Sequence, residues 1–127
     1  MNLRILIVDD SSMARSIIRR SLEICGLEDI EFREAGDGKE AMEVLKAEDR
    51  IDLVFTDLNM PNMSGDQLLK RIKSSPRFFE VPVVIITSLY NNSRNAELMM
   101  EHAAAVLPKP VTIPKLSEIL EEKLGLI

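Results

Sequence analysis

The middle of the chain reads LVFTD at residues 53–57 and LNMPNMSG at residues 58–65. Bulky apolar residues bounded by turn-forming residues predict a buried strand of a parallel sheet rather than a helix. Asp57 then lies at the carboxyl end of this strand, and ligands of open α/β sheets bind at that edge. The alternative is that Asp57 only begins a turn or caps the segment that follows.

Four other segments have the character of strands, and they lie on both sides of this stretch. Residues 3–8, 83–88 and 104–107 are apolar runs, whereas residues 30–35 are more polar and indicate an edge strand. A helical pattern follows each of the five strands. Such alternation predicts one doubly wound α/β domain, with a five-stranded parallel sheet and helices on both faces. Periodicity alone does not give the strand order.

The apolar residues of the intervening helices predict which helical faces enter the core. Ser11 or Ser12 can cap the first helix, and Gly26 can end it. We expect the following residues of the first and fourth helices to form inward faces: Met13, Ala14, Ile17, Ile18, Ser21, Leu22 and Cys25, and Ala96, Met99, Met100 and Ala103.

Composition excludes several classes of function. The chain has 127 residues, a length that suits one domain, and its net charge of -5 argues against binding to a phosphate backbone. The apolar runs are far shorter than the roughly 20 residues of a membrane-spanning helix. A single cysteine, Cys25, cannot form an internal disulfide, which favours a cytoplasmic location. We therefore expect neither nucleic acid nor membrane as a partner.

Polar side chains follow four of the five predicted strands and form the candidate site. If the sheet is parallel, all of them lie at one edge: Asp9, Asp10, Asp57, Thr87 and Lys109. Converging carboxylates repel one another, so such a cleft favours a divalent cation, and oxygen ligands suit Mg²⁺. Each residue also has an ordinary structural interpretation, because paired acids can cap a helix and a lysine can be a solvated loop charge.

These residue types suit phosphoryl chemistry. A carboxylate can attack phosphorus to form an acyl phosphate, and an ammonium and a hydroxyl can bind the phosphoryl oxygens. The only histidine, His102, falls before the last strand, so no residue at this edge is an obvious general base for water. The phosphorylated form is therefore expected to persist.

The same residues, together with the segment 60–65 and Pro110, resemble the response-regulator receiver domain in its single-domain, CheY-like form. The resemblance covers residues 1–127 and implies a flavodoxin-like fold with strand order 2-1-3-4-5 and no output domain. It also implies a cis peptide bond before Pro110.

By this resemblance Asp57 is the phosphoacceptor, phosphorylated by a sensor histidine kinase, a phosphotransfer protein or a small phosphodonor. Mg²⁺ would be held by Asp10 with the support of Asp9, by Asp57, and by the carbonyl of Asn59. Thr87 and Lys109 would bind the phosphoryl group. A downstream effector protein would bind the face made by the fourth helix, fifth strand and fifth helix.

The sequence departs from the family pattern at Val106 and at His102-Ala103, where the family often carries a Gly-Ala pair. Val106 stands where the family commonly carries an aromatic residue, so coupling is expected to run through Thr87 and the loop of residues 88–92. Leu89 and Asn59 occupy positions that tune dephosphorylation in this family. Because an apolar Leu89 cannot position water, we predict slow loss of phosphate.

Two other classes of function fit parts of the pattern. A phosphohydrolase that turns over through an aspartyl phosphate, like haloacid-dehalogenase-like enzymes, places a second Asp two residues after the nucleophile. That position is Asn59, which cannot accept a proton. A receiver-shaped interaction module that is never phosphorylated is the other alternative, and the intact set of five site residues argues against it.

Overall fold

The computed structural model describes residues 2–127, which form a five-stranded parallel sheet in the order β2-β1-β3-β4-β5. Five helices alternate with the strands, and the predicted fold class is confirmed. The strands are β1 (Leu3–Val8), β2 (Ile30–Ala35), β3 (Leu53–Asp57), β4 (Val83–Thr87) and β5 (Ala105–Pro108). The helices are α1 (Ser12–Ile24), α2 (Gly38–Ala47), α3 (Gly65–Lys73), α4 (Asn92–Met100) and α5 (Ile113–Glu118), which continues as a π-helical segment (Ile119–Lys123).

Alternate residues of the strands divide the core into two layers, because successive side chains of a strand point to opposite faces. In β3, Val54 packs with α2 and α3 on one face, whereas Leu53 and Phe55 pack with α1 and α5 on the other. Every residue of β3 and β4 is buried. The continuous apolar runs of these strands reflect their central position, where both faces are covered.

Strand β2 is the polar edge strand that its sequence predicts. None of its first five residues is fully buried. Ion pairs cover it: Arg33 Nε lies 2.8 Å from Glu48, and Glu31 accepts from Arg4 Nε at 2.9 Å. Charged pairs on an edge strand oppose pairing with the strand of another molecule.

Of the predicted inward face of α4 only Ala103 is buried, and it lies beyond the end of the helix. Leu98 is fully buried, whereas Ala96, Met99 and Met100 are exposed, the last with 82% of its surface accessible. Helix α4 packs against the β5 end of the sheet. A short helix at the end of a sheet has strands beneath only a narrow stripe of its surface, so neighbouring apolar residues remain in solvent.

The predicted inward face of α1 is only partly correct. Ile18, Ser21 and Leu22 are buried as expected, but Met13 and Ile17 are 74% and 52% exposed. Helix α1 begins four residues after β1 ends. Its first turns therefore lie near the carboxyl edge of the sheet, where less of the strand surface is available to cover them.

Two further expectations can be compared with the structure. The peptide bond between Lys109 and Pro110 is cis, as the resemblance implied. Among residues 2–127 we find no helix that combines the length and the apolar character needed to cross a membrane.

Candidate functional site

Three carboxylates meet at the carboxyl edge of the sheet. Strands β1 and β3 are neighbours, with Val8 opposite Thr56, so the residues that follow them lie side by side. One oxygen from each of Asp9, Asp10 and Asp57 lies within 4.8 Å of the others. Asp9 and Asp57 are buried and Asp10 is exposed. We call these three residues the acidic cluster.

Asp9 is held in place by the start of α1. The amide of Ser11 donates to Asp9 Oδ1 at 2.9 Å, and Arg15 Nη1 donates to the Asp9 carbonyl at 2.6 Å. Ser11 is the residue that caps α1, because its Oγ accepts from the amide of Ala14 at 3.2 Å. One turn of chain therefore forms the helix cap and supplies Asp9 and Asp10 to the acidic cluster.

Lys109 contacts two of the three acids. Its Nζ lies 2.9 Å from Asp9 Oδ2 and 3.3 Å from Asp57 Oδ1. The backbone positions it, because the Lys109 amide donates to the carbonyl of Thr87 at 2.9 Å. The sequence predicted a lysine at this edge but could not show that it bonds to Asp9.

The surroundings of Asp57 and Lys109 change their affinity for protons. Burial raises the pKa of Asp57, and the charge of Asp9 adds to this effect, while Lys109 and the amide of Leu58 oppose it. For Lys109, burial disfavours the charged form, but the hydrogen bond to Asp9 and the charges of Asp57 and Asp9 outweigh it and raise its pKa. The site thus holds more negative than positive charge, which favours a bound cation.

The residues of the acidic cluster fit a hard divalent cation. All three are carboxylates, and Mg²⁺ prefers oxygen ligands and retains several waters. The exposure of Asp10 leaves room for those waters. Asn59 follows Leu58 at the same edge, and its side chain is exposed.

Thr87 ends β4, the strand beside β3, and it lies one residue past Ile86, which is paired with Asp57. The side chain is fully buried, and its Oγ1 accepts from the amide of Leu89 at 3.0 Å. The sequence placed Thr87 at the edge but did not indicate this hydrogen bond.

Gly65 and Asn62 hold the loop between β3 and α3 in place. The amide of Gly65 donates to the Leu58 carbonyl at 2.8 Å, and a Cβ on Gly65 would lie 2.1 Å from the backbone oxygen of Asp57. Asp37 caps α2 by accepting from the Glu40 amide at 2.8 Å, and its second oxygen accepts from Asn62 Nδ2 at 2.7 Å.

The sequence analysis did not identify Asp37 or its hydrogen bond with Asn62. The one available signal was an Asp directly before a helix, which is a favourable N-cap. The hydrogen bond from Asn62 lowers the pKa of Asp37, with a further contribution from the amide of Glu40.

A doubly wound parallel sheet with an acidic cluster and a lysine at its carboxyl edge defines a class of signalling switches. The chain belongs to the response regulator receiver domain family, whose sequence model matches residues 5–121. Receiver domains are not classical enzymes.

Individual relatives place the chain near the chemotaxis regulators. It is 40% identical over 126 residues to chemotaxis protein CheY1 of Helicobacter pylori, and the match covers 97% of this chain and 98% of the relative. Among solved structures it is similar to the chemotaxis response regulator CheY4 of Vibrio cholerae, with a TM-score of 0.82 and 26% identity over 95% of this chain and 98% of that chain. The phosphorylated cyanobacterial phytochrome response regulator RcpA also has a TM-score of 0.82, with 25% identity over 100% of this chain and 97% of that chain.

Proposed function

We propose that the protein is a response regulator whose Asp57 is phosphorylated in a Mg²⁺-dependent reaction, and that phosphorylation changes a surface that binds another protein. The observation that carries this proposal is the acidic cluster with the Lys109 ammonium 3.3 Å from Asp57 Oδ1. The phosphoryl donor is a sensor histidine kinase or a phosphotransfer protein. That RcpA is described as phosphorylated supports the same chemistry in this chain.

In the reaction, a carboxylate oxygen of Asp57 forms a bond to phosphorus. The bond between phosphorus and the donor nitrogen, or the donor oxygen of a small phosphodonor, breaks at the same centre, and the leaving group takes the electron pair. Asp57 Oδ1 already accepts from the Leu58 amide at 2.9 Å and contacts Lys109. We therefore expect Oδ2 to be the nucleophile.

The remaining site residues would bind the phosphoryl oxygens or the Mg²⁺ ion. Lys109 is close enough to transfer its contact from Asp57 to a phosphoryl oxygen, and the Thr87 hydroxyl can donate to another oxygen after rotation of its side chain. Asp9, Asp10, Asp57 and the Asn59 carbonyl would hold Mg²⁺, which when bound neutralises charge on the phosphoryl group. Because these residues bind and orient the phosphoryl group without releasing a product, we infer a switch rather than a turnover enzyme.

The lifetime of the phosphorylated form depends on access of an activated water. The chain's one histidine, His102, precedes β5 and therefore lies toward the opposite edge of the sheet from Asp57. Leu89 is 64% exposed and has no group that can orient water. We expect autodephosphorylation to be slow.

The output is a change at the surface formed by α4, β5 and α5, where a downstream effector protein would bind. Residues 88–91 connect Thr87 directly to α4, so a movement of the Thr87 hydroxyl can be passed along the chain to this surface. We expect the protein to act in the cytoplasm.

Incubation with acetyl phosphate and Mg²⁺ tests the proposal. Intact-mass analysis should show the addition of one phosphoryl group, which should be absent with a chelator and absent in Asp57→Asn. Asp49→Asn is the matched control, because Asp49 is an exposed acid that follows α2. Equal phosphorylation of Asp57→Asn and wild type would refute the assignment.

A further inference from the structure

The groove between α4, β5 and α5 contains one aromatic residue that belongs to none of these elements. Tyr90 lies in the loop between β4 and α4, is 46% exposed, and has its ring 5.5 Å from Lys115 Nζ of α5. The groove has a volume of about 300 Å³, and Met99 and Val106 also line it. Tyr90 therefore rests at the rim of a groove that its ring does not fill.

Leu89, the residue before Tyr90, makes two hydrogen bonds, and one of them leads to the site. The amide of Leu89 donates to Thr87 Oγ1 at 3.0 Å, and the carbonyl of Leu89 accepts from Asn91 Nδ2 at 3.4 Å. Asn91 caps α4 by accepting from the amide of Arg94 at 2.8 Å. The Thr87 hydroxyl thus anchors the short segment that carries Tyr90 into α4.

The groove also contains a polar atom without a partner. Among residues 2–127, Asn95 Oδ1 is shielded from solvent and makes no hydrogen bond, and Asn95 lines the same groove as Tyr90. A buried acceptor without a donor is unfavourable, and a buried tyrosine hydroxyl requires a partner. The hydroxyl of a tyrosine that enters this groove would supply the donor that Asn95 Oδ1 lacks.

Val106 leaves space for such a movement. It is half-buried in β5, packs against the core layer under α4, and lines the groove. Because its branched side chain is shorter than an aromatic one, it leaves more of the groove open to a ring that approaches from the loop.

We propose that Tyr90 reports the state of Asp57 to the groove between α4, β5 and α5. When the Thr87 hydroxyl turns to the phosphoryl group, its bond to the Leu89 amide is lost and the loop is released. Tyr90 then leaves Lys115, enters the groove over Val106, and donates to Asn95 Oδ1. This inference rests on the proposed phosphorylation of Asp57.

The single tyrosine gives a direct test, because the chain has no tryptophan and Tyr90 dominates the emission. With acetyl phosphate and Mg²⁺, we expect the Stern–Volmer constant for quenching by acrylamide to fall about twofold as the ring becomes buried. Thr87→Ala should abolish this change and Thr87→Ser should retain it. Asn95→Leu should weaken it, and Asp57→Asn controls for direct effects of the reagents.

Intact mass, measured on the same samples, separates the two proposals. A gain of one phosphoryl group with unchanged or increased quenching would overturn the role of Tyr90 and leave the proposed function standing. An equal change in Thr87→Ala would overturn the coupling through the hydroxyl. Absence of phosphoryl transfer would overturn the proposed function and this inference together.

Discussion

Replacement of Asp57 by Asn should stabilise the protein in the absence of a divalent cation. Two carboxylates at most 4.8 Å apart repel by at least about 3.5 kcal/mol at an effective dielectric constant near 20. Lys109, at 3.3 Å, attracts Asp57 by about 5 kcal/mol under the same assumption. With two acids and one cation around it, Asp57 carries a net unfavourable interaction of about 2 kcal/mol in its charged state.

Burial of Asp57 adds to this cost, and solvent screening at the exposed Asp10 reduces it. The amide of Leu58 can still donate to the Asn oxygen, so the substitution removes charge without leaving that donor unpaired. We expect Asp57→Asn to raise the free energy of unfolding by about 1 to 3 kcal/mol at pH 7 in a chelator. Urea denaturation followed by circular dichroism measures this difference.

Asp66→Asn is the matched control. It changes the net charge by the same amount, but Asp66 Oδ2 is 2.9 Å from Arg94 Nη2, so removal of its charge should destabilise the protein. Mg²⁺ should then stabilise the wild type more than Asp57→Asn, by about 1.4 kcal/mol at a concentration ten times the dissociation constant. Equal or lower stability of Asp57→Asn in the chelator would refute the charge argument.

The pH dependence of this difference has a defined sign. Burial raises the pKa of Asp57 above its ordinary value of 3.8, so protonated Asp57 contributes stability that is fully present below that value. The contribution is lost as the pH rises through the folded-state pKa. The advantage of Asp57→Asn over wild type should therefore grow from pH 3.8 upward through that pKa and then remain constant.

Three further predictions concern the loops around the site. Leu89→Glu should accelerate loss of the phosphoryl group about tenfold, which corresponds to about 1.4 kcal/mol of barrier, and equal decay times would remove the argument. Gly65→Ala should destabilise the fold by about 3 kcal/mol or more in urea denaturation, because its Cβ would overlap the backbone oxygen of Asp57, and wild-type stability would contradict that overlap. Asp37→Ala removes both the α2 cap and the bond to Asn62 and should cost about 1 to 2 kcal/mol, whereas a loss below about 0.5 kcal/mol would show that neither contact matters.

The sequence determined the layers of the fold and the edge at which the site lies. Strands β3 and β4 are buried on both faces, and this burial is visible in the sequence as a run of consecutive apolar residues at the start of each strand. An acid at the end of such a strand is placed at the carboxyl edge by the strand itself. Asp57 could therefore be assigned to the candidate site before any contact was known.

Tertiary structure decided which helical faces are covered and which polar atoms meet. Met99 and Met100 have the spacing of core residues, but they are exposed because α4 lies over the end of the sheet. The contact of Lys109 with Asp9 joins residues 100 positions apart. Such contacts depend on strand order and register, which arise from the packing of the whole sheet, and no local pattern of residues specifies them.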